Sequence, residues 1–277
     1  MYLRPTQLTE ALIALKARPL AVLAGGTDFY PARVGRLVGE DVLDITALRD
    51  LRHVREDAGG LRVGALATWS DVVRYPLPRV FDGLKLAARE VGGLQIQNAG
   101  TVAGNICNAS PAADGIPALL ALEAEVELSA LDGVRRLPLS GFVTGARTTR
   151  CRPDELMTAI LIPTWGRTAR ATFLKLGARR YMVISIVMVA ATLETGIDGK
   201  VTRAAVAVGA CSEVACRLST LEAKLLGKPV TSALGDLARP DDLAPLAPIS
   251  DVRGSAEYRR DAALTLVRRA LSELGNE

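Results

Sequence analysis

A short apolar run, Leu20-Ala-Val-Leu23, passes through Ala24 and stops at Gly25-Gly26-Thr27-Asp28. A strand that ends on paired glycines must reverse tightly, because glycine alone enters left-handed backbone without a Cβ penalty. Successive N–H groups of such a turn can point to one side as an anion-binding nest, and Thr27 adds a hydroxyl donor. The spacing is neither the G-x-G-x-x-G fingerprint nor a Walker loop, since no Gly-Lys-Ser/Thr follows. A plain strand-to-helix turn accounts for the two glycines equally well. A second glycine-rich segment, Gly100-Thr-Val-Ala-Gly-Asn105, reads as a loop and leads through Ser110 and Asp114 to an apolar helix starting near Ile116. Its small side chains admit close backbone approach, and Asn105 offers both a donor and an acceptor. Asp114 also fits as a helix N-cap with Pro117 in the first turn, and Asn105 as an amide serving its own loop. Two such segments in separate layers point to one shared, elongated ligand with a pyrophosphate in its middle.

Bulk properties narrow the class. The chain has 277 residues, enough for one large domain or a few small ones. Aromatics make up 4%, so Leu, Val, Ala and Ile must build the core. The net charge of +4 is mild, and its arginines are scattered in pairs such as Arg135-Arg136 and Arg259-Arg260 rather than set among aromatics. That pattern argues against a nucleic-acid surface. The longest uncharged run, Tyr181 to Leu193, is too short for a membrane span. The N-terminal segment reads as an amphipathic helix rather than a secretion signal. Cys107, Cys151, Cys211 and Cys216 show no C-x-x-C spacing, and His53 is the single histidine. A zinc site and a histidine-centred triad are thereby disfavoured, and a cytoplasmic protein with reduced thiols is expected.

Periodicity and punctuation give the layout. Thr6 is expected to cap a helix to about Arg18, with Leu8, Ala11, Leu12 and Leu15 on one face. Strands are expected at 20–23, 41–45, 61–66, 124–130, 134–137, 155–162, 171–176, 184–193 and 203–210. Helices are expected after Thr68, over 80–91, from near Ile116, and at 218–226, 232–238 and 256–274. Residues 164–168 read as a linker. No βαβ rhythm emerges, so the fold class is α+β. Three units follow: 1–56, a small α/β unit; 57–165, an α+β unit; and 168–277, a C-terminal α+β domain with a small antiparallel sheet and helices.

AGGTD at 24–28 and TVAGNICNASPAAD at 101–114 resemble the FAD-binding subunit of molybdenum hydroxylases. That family includes the medium subunit of carbon monoxide dehydrogenase and the flavin subunit or domain of xanthine dehydrogenases. Further similar segments are Gly60 to Thr68, Gln95 to Asn98, Arg152 to Leu156 with Ile162-Pro163, Phe173 to Gly177, and Asp251 to Arg259. Together these motifs run in order along nearly the whole chain.

The resemblance implies a two-subdomain FAD-binding fold of the PCMH type in front of the C-terminal domain. It implies FAD, with Ala24, Gly25, Gly26, Thr27 and Asp28, then Thr101, Val102, Ala103, Gly104 and Asn105, around the pyrophosphate and ribityl region. Asp114 is expected to hydrogen-bond FAD, Met157 and Lys175 to lie near it, and Ile184 to sit beside the isoalloxazine. From its residues alone, Lys175 could equally be a strand lysine with its head in solvent. The resemblance further implies a large partner with the molybdenum cofactor, a small partner with 2Fe–2S clusters, and an acceptor such as NAD or a quinone. The chain departs from the family pattern at Ala103, where a second glycine is usual, at Gln97 and Ala99, where arginines are common, and around Met182-Val183, where an acid is often found. Two alternatives stand beside this reading: a self-contained FAD oxidoreductase, and a scaffold subunit that has lost its flavin.

Overall fold

The computed structural model describes residues 1–35, 39–57 and 59–276. Along the chain lie β1 (Tyr2–Leu3), α1 (Leu8–Ala17), β2 (Ala21–Leu23) and β3 (Val42–Asp44). β1 and β2 flank β3, both parallel to it. Next come β4 (Val54–Asp57), β5 (Gly60–Gly64), α2 (Trp69–Arg74), α3 (Asp82–Glu90), α4 (Leu94–Ala99), α5 (Val102–Asn108) and α6 (Gly115–Ala121). They are followed by β6 (Glu125–Ala130), β7 (Gly133–Pro138), α7 (Leu139–Phe142), the small hairpin β8 (Val143–Gly145) and β9 (Thr148–Thr149), and β10 (Leu156–Pro163). β10 lies at the centre of a five-stranded sheet of order β4-β5-β10-β6-β7, antiparallel to both neighbours. The chain closes with β11 (Arg170–Leu176), β12 (Val187–Thr195), β13 (Val201–Gly209), β14 (Cys216–Arg217), α8 (Ser219–Leu225) and α9 (Ala256–Asn276). Its four strands form an antiparallel meander.

The meander explains its own uncharged sequence. Alternate residues of a strand face opposite sides. On β12, Met188 and Ala190 enter the core shared with α2, α3, α6 and β10, whereas Val187, Val189, Ala191 and Leu193 enter a second core against α8 and α9. β13 divides in the same way, with Ala205 and Ala207 on one side and Val206 and Val208 on the other. A sheet buried on both faces needs apolar residues at every position, and each buried Val or Leu contributes about 1.5–3 kcal/mol. Among the described residues, no helix is long and apolar enough to cross a membrane.

Several local expectations change. α1 starts one residue later than a Thr6 cap requires. The Glu10 carboxylate accepts from the N–H groups of Thr6 and Gln7 at 3.1 and 3.3 Å, so the acid three residues into the helix sets its start. Residues 164–168 are pinned rather than loose. Trp165 is buried, donates from Nε1 to Leu122 O at 3.3 Å, and carries the Arg203 guanidinium 3.7 Å from its ring centroid. α4 and α5 are both unexpected; α5 begins inside the stretch Gly100 to Asn105 that reads as a loop.

Candidate functional site

A cavity of about 820 Å³ opens between the β2 turn, the α4–α5 corner, β10 and the segment 182–184. Its volume lies within the range of cofactor pockets. Ala24, Gly25, Gly26, Thr27 and Asp28 all line it. The two glycines are there for different reasons. Gly26 has φ +71°, a left-handed turn. Gly25 is pressed on the α4–α5 corner, where a Cβ would stand 2.0 Å from Ala99 O. Among the described residues, the backbone N–H groups of Gly25 to Asp28 donate to no protein oxygen. The turn thus presents a row of free donors to the cavity.

The second glycine-rich segment is not a loop but the start of α5. Thr101 caps it: its Oγ1 accepts from Gly104 N–H at 3.0 Å. Gly104 N–H is therefore spent on the helix, and the Thr101 hydroxyl keeps its proton for donation. Asn105 N–H donates to Thr101 O and Val102 N–H to Ala67 O, which leaves the Ala103 N–H unpaired among the described residues. Ala103 lines the cavity with an ordinary helical backbone, so a glycine is not needed there. Val102 does not line the cavity; its side chain is fully buried in the core. Helix periodicity turns one residue of each turn inward, which a loop reading could not assign. Asn105 carries the decisive atom. Its Oδ1 is buried with no hydrogen-bond partner among the described residues. A buried acceptor left unpaired costs about 1–3 kcal/mol, and its place on a cavity wall fits an absent donor.

Asp114 is not a helix cap. It precedes α6 with no side-chain cap hydrogen bond. Its Oδ2 instead accepts from Lys175 Nζ at 2.8 Å and its Oδ1 from Ser185 Oγ at 2.6 Å. Lys175, on β11, is buried rather than solvated, and also donates to Glu90 O at 3.2 Å. It stands behind Asp114 and does not line the cavity, whereas Asp114 does. Burial pushes the Asp114 carboxyl above the ordinary carboxylate range, with Glu90 adding to the rise, while Lys175 and Ser185 pull it back. Met157 lines the cavity from β10. Ile184 lies at the mouth, largely exposed, beside Met182 and Val183.

Other lining residues went unnoticed in the sequence. Trp69, the first residue of α2, forms part of the wall, and its ring leaves room only for glycine at 115, where a Cβ would come within 2.2 Å. Gly92 and Gly93, which follow α3, both line the cavity. Arg33 stacks 3.8 Å over the Phe29 ring at one end. Cys107 also lines the wall, with its side chain exposed. Only the Arg33–Phe29 pair, four apart, carried a readable helical-spacing signal.

The site's residues fit a dinucleotide-like cofactor: free backbone donors on one wall, an orphaned acceptor on another, and a buried carboxylate with unused lone pairs. Comparison with known proteins agrees. The chain matches the model for the FAD binding domain in molybdopterin dehydrogenase over residues 1–165, and that for the CO dehydrogenase flavoprotein C-terminal domain over residues 172–274. It is 30% identical to the glyceraldehyde dehydrogenase medium chain of Sulfolobus acidocaldarius over 283 residues, covering 99% of this chain and 97% of that one. It is 29% identical to the nicotinate dehydrogenase FAD-subunit of Eubacterium barkeri, covering 94% and 91%. The solved carbon monoxide dehydrogenase of Hydrogenophaga pseudoflava superimposes with a TM-score of 0.87 at 28% identity, covering 99% of this chain and 96% of the solved one. A cavity built from both glycine-rich segments, in a chain matched along both of its halves, places this protein in the family of FAD-binding medium subunits of molybdenum hydroxylases.

Proposed function

We propose that this chain holds FAD as the electron-transfer centre of a molybdenum-containing hydroxylase or dehydrogenase. Electrons would enter from 2Fe–2S clusters on a small partner subunit, after oxidation of the organic substrate on a large molybdenum-bearing partner, and leave to an acceptor such as NAD or a quinone. A cytoplasmic location and a division into units 1–56, 57–165 and 168–277 go with this reading. The observation that carries it is the orphaned Asn105 Oδ1 on a residue lining a cavity that the turn Gly25 to Asp28, with its unpaired N–H groups, also lines.

FAD, when bound, supplies one- and two-electron redox chemistry, so the protein has no need of a general acid or base. The residues bind, orient and tune. The N–H groups of Gly25 to Asp28 suit a diphosphate, because they compensate negative charge without a lysine or arginine. Asn105 Oδ1 accepts from a hydroxyl donor, and the Thr101 hydroxyl can donate. Asp114 keeps lone pairs toward the cavity and can accept an N–H of the cofactor, with Lys175 holding it in place from behind. Met157, Trp69 and Ile184 supply apolar walls that exclude water. Lys175, which the family resemblance puts near FAD, would act on it through Asp114, to which it donates at 2.8 Å.

The test is a visible spectrum of the purified chain, followed by acid release of the flavin. A yellow protein yielding stoichiometric FAD, with molybdenum and iron on co-purifying partners, is expected. A folded, colourless chain that takes up no FAD on incubation would overturn the proposal and favour the scaffold reading.

A further inference from the structure

We infer that Arg147 is a positioning residue that clasps the mouth of the cavity by tying its two walls together; the inference rests on the FAD reading above. Asp28, from the first glycine turn, and Asn108, from the last turn of α5, line the cavity from different elements. Asn108 Nδ2 donates to Asp28 Oδ2. Arg147 Nη1 donates to Asn108 Oδ1 and lies 3.4 Å from Asp28 Oδ2. One guanidinium thereby closes a ring of three side chains drawn from three separate elements, since Arg147 sits at the tip of the β8–β9 hairpin.

The hairpin tip is built to deliver that side chain. Arg147 N–H donates to Ala109 O at 2.8 Å, and both residues are left-handed, at φ +58° and +47°. Neither is glycine, though glycine would hold either backbone with less strain. The adjacent Ala146 N–H donates to Glu213 Oε1 at 3.2 Å, so the C-terminal unit braces the tip from outside. The side chain at 147 does what a glycine could not: it carries a cation to Asp28. Both charged groups are about half exposed, at 57% and 53%. Exposed pairs contribute little to global stability and are screened by salt. The clasp's effect should therefore appear at the cavity mouth and not in unfolding.

The consequence is kinetic. With the clasp closed, Asp28 is held against α5 and the first turn keeps its aim. Without it, the turn is free to swing and the mouth opens more often. Arg147→Gln in the full chain should release FAD about 2- to 5-fold faster than wild type at low salt, as expected for loss of one exposed pair. The difference should shrink toward none near 1 M salt, where the wild-type pair is screened over about 3 Å. Arg147→Lys should restore most of the low-salt rate, and unfolding midpoints of all three apoproteins should agree. In parallel, hydrogen exchange on the apoproteins should show faster exchange at the Tyr30 and Ala32 amides, which donate to Gly26 O and Asp28 O of the turn, in Arg147→Gln. Equal release rates at both salts together with unchanged exchange would overturn the clasp. If the wild-type chain retains no FAD, the flavin reading fails. The exchange measurement then decides the clasp alone: faster exchange at the Tyr30 and Ala32 amides upholds it, and unchanged exchange removes it.

Discussion

Two buried carboxylates, Glu127 and Asp114, meet opposite environments. Glu127, on the five-stranded sheet, accepts from Arg62 Nη1 and Nη2 at 3.1 and 2.5 Å, Arg136 Nε and Nη2 at 3.2 and 3.1 Å, and Thr158 Oγ1 at 3.0 Å. Hydrogen bonding to Arg62 leads the causes that hold its carboxyl at about 2. Asp114 has two donors, Lys175 and Ser185, and its carboxyl is raised because burial outweighs them. Both acids have a cationic partner, so the difference lies in how many lone pairs are filled. Glu127 is saturated and serves the sheet. Asp114 is left short on the side that faces the cavity, which suits an acid whose remaining partner is a ligand.

The largest effect expected from breaking this comparison is at Lys175. Lys175→Met keeps the stem and removes the charge, so Asp114 is left buried with only Ser185. Loss of one member of a buried pair costs about 3–5 kcal/mol, read as a fall in apoprotein stability by urea unfolding. FAD retention should fall in the same variant. A wild-type unfolding curve for Lys175→Met would show that the pair is not the support described here.

Glu127 comes next. Its carboxyl lies below the ordinary 4.5, so its stabilisation is complete above that pH and drains as pH falls from 4.5 to about 2. Asp114, raised, has the opposite sign: its contribution is present below 3.8 and is lost as pH rises through the folded value. Glu127→Gln should cost about 2–3 kcal/mol at neutral pH and flatten the acid limb of stability against pH. An unchanged acid limb would mean that other carboxylates control it.

The smallest and most discriminating change is Asn105→Ala. Removing an unpaired buried acceptor should leave apoprotein stability unchanged or slightly higher, while FAD affinity drops about tenfold, or ~1.4 kcal/mol. Equal losses in stability and affinity would make Asn105 an ordinary packing residue.

The sequence made some of this site legible and hid the rest for physical reasons. The first glycine turn was readable because strand, paired glycines and Thr-Asp are contiguous. The second segment was misread as a loop because Gly100, Gly104 and Asn105 offer weak helix propensity and no acidic N-terminal signal. Its cap, Thr101, acts on Gly104 without the usual acid at that position. Thr68 was legible as a cap because Asp71 completes the reciprocal pair. Asp114, Lys175 and Ser185 are far apart in sequence, and no local pattern reports which strand register will bring them together. Val102 and Lys175 were placed around the cofactor on family likeness alone; packing puts one in the core and the other behind Asp114.

The Asp114–Lys175–Ser185 cluster also orders events in biosynthesis. A ribosome delivers both glycine-rich segments and Asp114 well before Lys175 and Ser185. Until β11 and Ser185, two residues before β12, emerge, the cavity's carboxylate has neither of its supports. The walls of the pocket are thus made early and its acid is set late, so a prematurely ended chain carries the binding motifs without the means to hold them in working order.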